Sequence, residues 1–343
     1  MLSKLEIQTT AETLVAGGKG ILAADESFGS IQKRFEPLGI QSTADSRRAY
    51  RELFFSTSGV ADYISGVILF DETIRQTGDD NVHFPEMLKQ MGIIPGIKVD
   101  KGTRSLPQYP GEKLTEGLDG LRERLVEYRG LGARFAKWRA VYSISPGTPT
   151  PYGISINARD LARYAALCQE EGLTPIVEPE VLMEGMHHIS VCEEVTGAVL
   201  EKLFEELRAA RVMLEGILLK PNMVTAGTDF SKKFSVEEVA EATVRTLRRT
   251  VPTAVPGIVF LSGGQSPELA TAHLNAMNAL GPLPWKLSFS YGRALQAPAL
   301  NAWRGKPENL REAQRLFLQR AQLNSAAAQG TYNPDMDKQS LEG

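Results

Sequence analysis

Gly216-Ile217-Leu218-Leu219-Lys220-Pro221-Asn222 is the stretch on which the fold turns. An apolar run bounded by turn formers reads as a buried strand, and here a lysine closes it. Burying an ammonium is costly unless it is paired or gives up its proton. A neutral lysine amine is a nucleophile toward carbonyl carbon. Lys220 is therefore expected to serve chemistry rather than stability. The plainer alternative is a lysine whose stem lies on apolar surface while its head reaches water. The immediate Pro-Asn turn argues against it.

The pattern recurs on both sides of this stretch. Eight short apolar runs occur, at 20–24, 64–70, 94–99, 133–137, 174–178, 213–220, 257–262 and 285–290. Several are rich in Ile, Val and Phe, as strands prefer. Helical patterns lie between them. Leu118, Leu121, Leu125 and Tyr128 have helical spacing over 118–131. Ser235-Val236-Glu237-Glu238 is a capping box opening a helix over 236–249, and Val251-Pro252 stops it. Ser266-Pro267-Glu268 places a capping serine before a first-turn proline. Further helices are expected over 157–171, 189–210 and 307–329. Alternating strand and helix implies parallel strands joined by right-handed crossovers. Eight units predict an α/β fold of the (β/α)8 TIM-barrel type, with a doubly wound open sheet as the alternative. No composition break divides the chain. One domain over 1–343 is expected, with a polar, mobile tail from about 331.

The 343 residues are 42% hydrophobic and 23% charged, with a net charge of −3. These are the proportions of a soluble globular protein, and no global basic field points to nucleic acid or an anionic membrane. The two cysteines, Cys168 and Cys192, lack metal-pair or redox spacing and suggest structural thiols in a reducing compartment. No apolar signal core follows Met1, and no stretch is long enough to span a bilayer, so a cytoplasmic location is expected.

In a barrel the reactive groups stand at the carboxyl ends of the strands. Those positions hold Asp25, Lys98 with Asp100, Lys137 with Arg139, Glu178 with Glu180, Lys220, Ser262, and Ser290 with Arg293. Members of the first three pairs are two residues apart and share a face. Any one pair alone could be an ion pair closing a barrel end. A free lysine has a pKa near 10.4, so about one amine in 2,500 is neutral at pH 7. A neighbouring cation and burial lower that value, and Lys137 is expected to supply the cation for Lys220. Glu178 and Glu180 then serve proton transfer and orientation of the amines.

Two glycine turns, Ser262-Gly263-Gly264-Gln265 and Ser290-Tyr291-Gly292-Arg293, suit a phosphate, which backbone N–H groups and a helix N-terminus favour. A second anion site is expected at Asp25-Glu26-Ser27-Phe28-Gly29-Ser30 with Lys98. Two phosphate sites around a reactive lysine suggest a bisphosphorylated sugar. Leu261–Gln265 also spells an ABC-type ATPase signature, but no Walker A loop accompanies it. The four histidines show no metal-ligand spacing, so no metal is expected.

With these residues in hand, the chain resembles class I fructose-bisphosphate aldolases from about residue 5 to 331. The likeness rests on Gly18-Lys19-Gly20-Ile21-Leu22-Ala23-Ala24-Asp25-Glu26-Ser27, Phe135-Ala136-Lys137-Trp138-Arg139, Glu178-Pro179-Glu180 and Leu218-Leu219-Lys220-Pro221-Asn222. The resemblance implies a homotetramer that cleaves fructose 1,6-bisphosphate reversibly in glycolysis and gluconeogenesis, with no metal or other cofactor. It implies Lys220 as Schiff-base former, Glu178 as general acid/base, and Lys137 in charge and proton handling. Glu180 would orient the lysines, and Asp25 would contact the hydroxyls near the broken bond. Ser262, Gly263, Ser290, Gly292 and Arg293 would meet the ketone-side phosphate, and Ser27, Ser30, Lys98 and Arg139 the aldehyde-side one. Lys33, Arg34 and Arg304 are weaker matches at the rim. Animal members end in a tyrosine that reaches the site, whereas the last tyrosine here is Tyr332. Two readings stand beside this one. A related Schiff-base enzyme could be transaldolase-like or prefer sedoheptulose 1,7-bisphosphate. A non-catalytic scaffold would normally lack one of Lys220, Lys137 and Glu178.

Overall fold

A computed structural model describes residues 4–339. Each of the eight apolar runs supplies one strand of a closed barrel. In chain order the strands are β1 (Gly20–Ala24), β2 (Ile64–Leu69), β3 (Ile94–Lys98), β4 (Thr103–Ser105), β5 (Lys113–Thr115), β6 (Phe135–Tyr142), β7 (Thr174–Val181), β8 (Leu218–Leu219), β9 (Gly257–Phe260) and β10 (Lys286–Tyr291). Strands β4 and β5 form a separate antiparallel hairpin. The others close in the order β1-β10-β9-β8-β7-β6-β3-β2, all parallel. This is the expected (β/α)8 barrel; the open sheet is excluded because β1 pairs with both β2 and β10.

Strand alternation builds two cores. Outward residues such as Leu22, Val67, Ala136, Val177 and Phe260 join the surrounding helices in one cluster. Inward residues Ile21, Ile68, Phe135, Ile176, Leu218 and Val259 fill the barrel floor. Helix α1 (Lys4–Leu14) closes that floor from below with Ala11 and Leu14, joined by Val15. Room for this plug comes from inward glycines, among them Gly257, where a Cβ would sit 2.6 Å from Val15. A Cβ on Gly66 would sit 2.5 Å from Leu14, and one on Gly96 would sit 2.3 Å from Phe135. A fully buried phenylalanine contributes about 1.5–3 kcal/mol, so Phe135 anchors the floor.

The helices follow their caps. Ser235 accepts from Glu238 N–H, and the Glu238 side chain accepts from Ser235 N–H, so Val236–Thr250 opens on a complete capping box. The helix expected from 157 begins earlier, at Pro151, because Thr150 caps it and accepts from Gly153 N–H.

Three strands differ most from expectation; β7 runs past Glu178 to Val181. Strand β6 runs past Lys137 to Tyr142, because its charged residues face the barrel interior rather than ending the strand. The run 213–220 becomes a tight turn, Leu214–Gly216, followed by a two-residue strand. Gln169 causes this by bonding Met213 N–H and the carbonyls of Met213 and Gly216. The tail expected to be mobile makes contacts before its end. Arg320 pairs with Asp337, and the buried Tyr332 donates its hydroxyl to Asp337 at 2.5 Å. Residues 340–343, the rest of that tail, lie outside the described residues. Among the described residues no helix is long and apolar enough to cross a membrane.

Candidate active site

The inward alternation continues upward, and its chemistry changes. One step above Ala23, Phe135, Ile176 and Leu218 stand Asp25, Lys137, Glu178 and Lys220. Lys137 and Lys220 are each 3% exposed and Glu178 is 4% exposed, so all three charges are withdrawn from water. They stay there because they pair. Asp25 Oδ2 lies 2.7 Å from Lys137 Nζ. Glu178 Oε2 lies 3.1 Å from Lys137 Nζ, and Glu178 Oε1 lies 3.3 Å from Lys220 Nζ. One carboxylate thus touches both amines, one with each oxygen. The expected cation beside Lys220 is accordingly buffered: Glu178 is in contact with both lysines. Glu178 Oε2 is shut from solvent and makes no hydrogen bond beyond its ion pair with Lys137.

Burial works against ionisation of Glu178, yet Lys137 first and Lys220 next hold its carboxyl below the ordinary value of 4.5. Burial likewise raises the Asp25 carboxyl, and Lys137 and Lys220 override it, leaving the group well below the carboxylate range. Burial would lower Lys137, but Asp25 and Glu178 raise it above an ordinary lysine. At neutral pH the site therefore holds two carboxylates and a fixed Lys137 cation.

Glu180 pairs with Arg139 rather than with either lysine. Lys98 Nζ lies 2.9 Å from Asp100 Oδ1. Asp100 also accepts from Gly102 N–H at 3.1 Å and Arg139 N–H at 3.3 Å, tying the end of β3 to the middle of β6. Strand register contributes too, setting Lys98 opposite Lys137 and Arg139 opposite Glu178.

Above this floor opens a cavity of about 490 Å³, within the usual range for small-molecule sites. Asp25, Ser27, Ser30, Lys98, Lys137, Arg139, Glu178, Glu180, Lys220, Ser262, Gly263, Ser290, Gly292 and Arg293 all line it. The turn after β9 takes Gly263 and Gly264 through the left-handed region in succession, at φ 55° and 87°, a form that converges N–H groups on an anion. Ser290 Oγ is buried without a partner. Gly292 precedes the helix Arg293–Trp303, and a Cβ there would lie 3.2 Å from the Ala23 carbonyl. On the opposite wall, Ser27 precedes helix α2 (Phe28–Phe35) without capping it, and its Oγ sits 3.1 Å from Ser30 Oγ.

Arg34 lines the cavity, whereas Lys33 and Arg304 lie beside two neighbouring hollows. Glu26, Thr103, Leu182 and Glu184 line it without having been singled out in the sequence. Glu26 had a signal: an acidic neighbour of Asp25 with arginines to pair it. It binds Arg34 and, at 2.6 Å, Arg51. Glu184 lies in a loop beyond β7 and had none. No group of three or more His, Cys, Asp or Glu side chains among the described residues is placed to hold a metal ion.

The family model for class-I fructose-bisphosphate aldolase, described as glycolytic, matches residues 6–342. A probable class 1 fructose-bisphosphate aldolase of Xylella fastidiosa is 56% identical, covering 95% of this chain and 98% of its own. Fructose-bisphosphate aldolase 1 of Toxoplasma gondii is also 56% identical, over 95% of this chain and 91% of its own. A solved Plasmodium falciparum fructose-bisphosphate aldolase, in complex with TRAP and a small-molecule inhibitor, superposes with a TM-score of 0.95. It is 54% identical and covers 96% of this chain and 95% of its own. The chain belongs to the class-I fructose-bisphosphate aldolase family, glycolytic lyases that work through a lysine Schiff base.

Proposed function

We propose that Lys220 is the amine through which this enzyme cleaves fructose 1,6-bisphosphate to dihydroxyacetone phosphate and glyceraldehyde 3-phosphate. The observation that carries the assignment is the single carboxylate of Glu178 in contact with both Lys220 and Lys137 at the cavity floor. Glu178 takes a proton from the Lys220 ammonium, and the freed amine attacks the ketose carbonyl carbon. A proton passes from nitrogen to the former carbonyl oxygen, giving a carbinolamine. Glu178 returns its proton to that hydroxyl, water leaves, and an iminium remains. The iminium draws the electrons of the adjacent carbon–carbon bond as Glu178 accepts the proton of the neighbouring hydroxyl. The aldehyde departs and an enamine is left, which is protonated at carbon and hydrolysed.

Lys137 holds Asp25 ionised during these steps and favours release of each proton that Glu178 takes up, and Asp25 orients the hydroxyls flanking the bond. Glu180 fixes Arg139. Ser262, Gly263, Ser290, Gly292 and Arg293 receive the ketone-side phosphate; Ser27, Ser30, Lys98 and Arg139 receive the other. The charge of this cavity, its two glycine turns and the family likeness support the reading. We further assign the enzyme to the cytoplasm as a homotetramer with no metal or dissociable cofactor and no nucleic-acid or membrane partner, on the same likeness. The test is borohydride reduction with fructose 1,6-bisphosphate in EDTA, followed by peptide mass spectrometry. A reduced adduct on the Lys220 peptide is expected, absent from Lys220→Ala. An unmodified wild-type peptide overturns the assignment.

A further inference from the structure

We infer that Phe28 is a positioning residue for the aldehyde-side phosphate, acting through Phe70 and Lys98. The inference rests on the phosphate assignment above. Phe28 is the first residue of α2 and sits between Ser27 and Ser30, yet it is not itself among the residues lining the cavity. It is 51% exposed, so the fold gains little from it, and its contacts decide its role. They are specific. Its ring meets that of Phe70 edge to face, with centroids 5.3 Å apart and planes at 86°. The guanidinium of Arg47 lies 4.7 Å from its centroid. Arg47 is itself fixed, donating to Glu72 through Nε at 2.8 Å and Nη2 at 2.5 Å, and to the Ser42 carbonyl at 2.9 Å.

The string does not end at Phe70. That residue directly follows β2, and Lys98 Nζ lies 5.9 Å from its ring centroid. Arg47, Phe28, Phe70 and Lys98 therefore form a line of two edge-to-face rings with a cation at each end, an arrangement in which each neighbour attracts the next. The line joins the first turn of α2, carrying Ser27 and Ser30, to the end of β3, carrying Lys98. These are two parts of one phosphate site, and they come from elements that are not neighbours in sequence. Ser27 makes no side-chain capping bond to its own helix, so capping does not hold this turn in place. Asp100 restrains Lys98 from its other side. The ring pair sets the gap between the serines and the lysine. Lys220, Glu178 and the two glycine turns lie outside the line, so its loss bears on one phosphate and leaves the bond-breaking groups in place.

Two substrates separate this role from a general one. Fructose 1-phosphate lacks the phosphate at issue, and fructose 1,6-bisphosphate carries it. Phe28→Ala is expected to raise KM for the bisphosphate about tenfold, equivalent to ~1.4 kcal/mol, while KM for the monophosphate moves by less than about twofold. Phe28→Tyr, which keeps the ring, restores the wild-type ratio, and the melting temperature of either variant stays near wild type. Equal changes with both substrates, or an unchanged ratio, overturn the inference. Borohydride trapping of the wild type in the same samples separates the two levels. An adduct on the Lys220 peptide with an unchanged KM ratio sinks the role of Phe28 alone. No adduct sinks the reaction assignment, and the role of Phe28 with it.

Discussion

The two ends of the barrel are made by the same strands and do opposite work. Phe135 and Lys137, Ile176 and Glu178, Leu218 and Lys220 are neighbours on one inward face, a single alternation apart. The lower members touch one another and helix α1 and are closed to ligands. The upper members are charged and open onto the cavity. Withdrawing ions from water costs several kcal/mol each even when they are paired. The floor opposes that cost by packing side chains at the density of a solid. Placing the reactive cluster one layer above this buried floor also fixes its geometry, which Schiff-base chemistry requires. The lesson is that position along a strand, more than strand identity, decides whether a residue here serves stability or reaction.

The sharpest way to break this division is at the top. Lys220→Ala is expected to lower kcat for cleavage by roughly 10³-fold or more while the protein remains folded, because the nucleophile is gone. Steady-state assays beside circular dichroism check it. Glu178→Gln keeps shape and removes the shared base, and a kcat loss of about 10²–10⁴-fold is expected. The bottom should behave in reverse. Phe135→Ala opens a cavity and is expected to cost about 3–5 kcal/mol in urea unfolding, with the folded fraction retaining most of its kcat. If Phe135→Ala abolished turnover in folded protein, the two layers would not be separable.

Acid sharpens the comparison. Asp25 and Glu178 titrate below their ordinary values of 3.8 and 4.5. Groups so depressed give their full stabilisation above those values, and it is lost as pH falls through them toward the folded pKa. Lys137 is raised above 10.5, so its contribution is full below that value and is lost only on the alkaline side. Unfolding free energy should therefore drop on going from about pH 5 to about pH 3, and Asp25→Asn should flatten that drop. Phe135→Ala should shift the whole curve down without changing its acid slope. The smallest effect is expected away from both layers. Removing everything after Asn333 takes Asp337 from Arg320 and Tyr332. About 1–2 kcal/mol of stability should be lost. Arg320 keeps its bonds to Thr271 and the Pro267 carbonyl, and cleavage should stay within about tenfold of the full chain.

Much of the barrel was legible because each strand is short, apolar and stopped by a turn. The legible signal failed where inward charges interrupt it. Lys137 and Arg139 disguised the second half of β6, although Trp138, Ala140 and Tyr142 kept the outward alternation. Strand β8 was overestimated because Gln169, far away in sequence, claims the backbone of Met213 and Gly216. Helix α1 had a usable pattern in Ile7, Ala11 and Leu14, but its role as a plug needs the barrel to exist first. The three-residue hairpin strands carry almost no periodicity. In the site, residue types and positions were readable from strand ends. Their pairing was not: that Glu178 contacts both lysines, and that Glu180 goes to Arg139, depends on side-chain reach across strands.

The contact of one carboxylate with two amines has an electrical consequence. On the proposed path an ammonium at Lys220 is replaced by an iminium, and both carry one positive charge at almost the same point. The surrounding dipoles therefore meet the same charge at the start and at the end of imine formation. That charge is absent at the free amine and the carbinolamine, while its proton rests on Glu178, and again at the enamine, when the neighbouring carboxyl groups and Lys137 face an uncharged nitrogen. The local field then favours return of a proton to carbon, so the intermediate most exposed to side reactions is also the one its surroundings press to discharge.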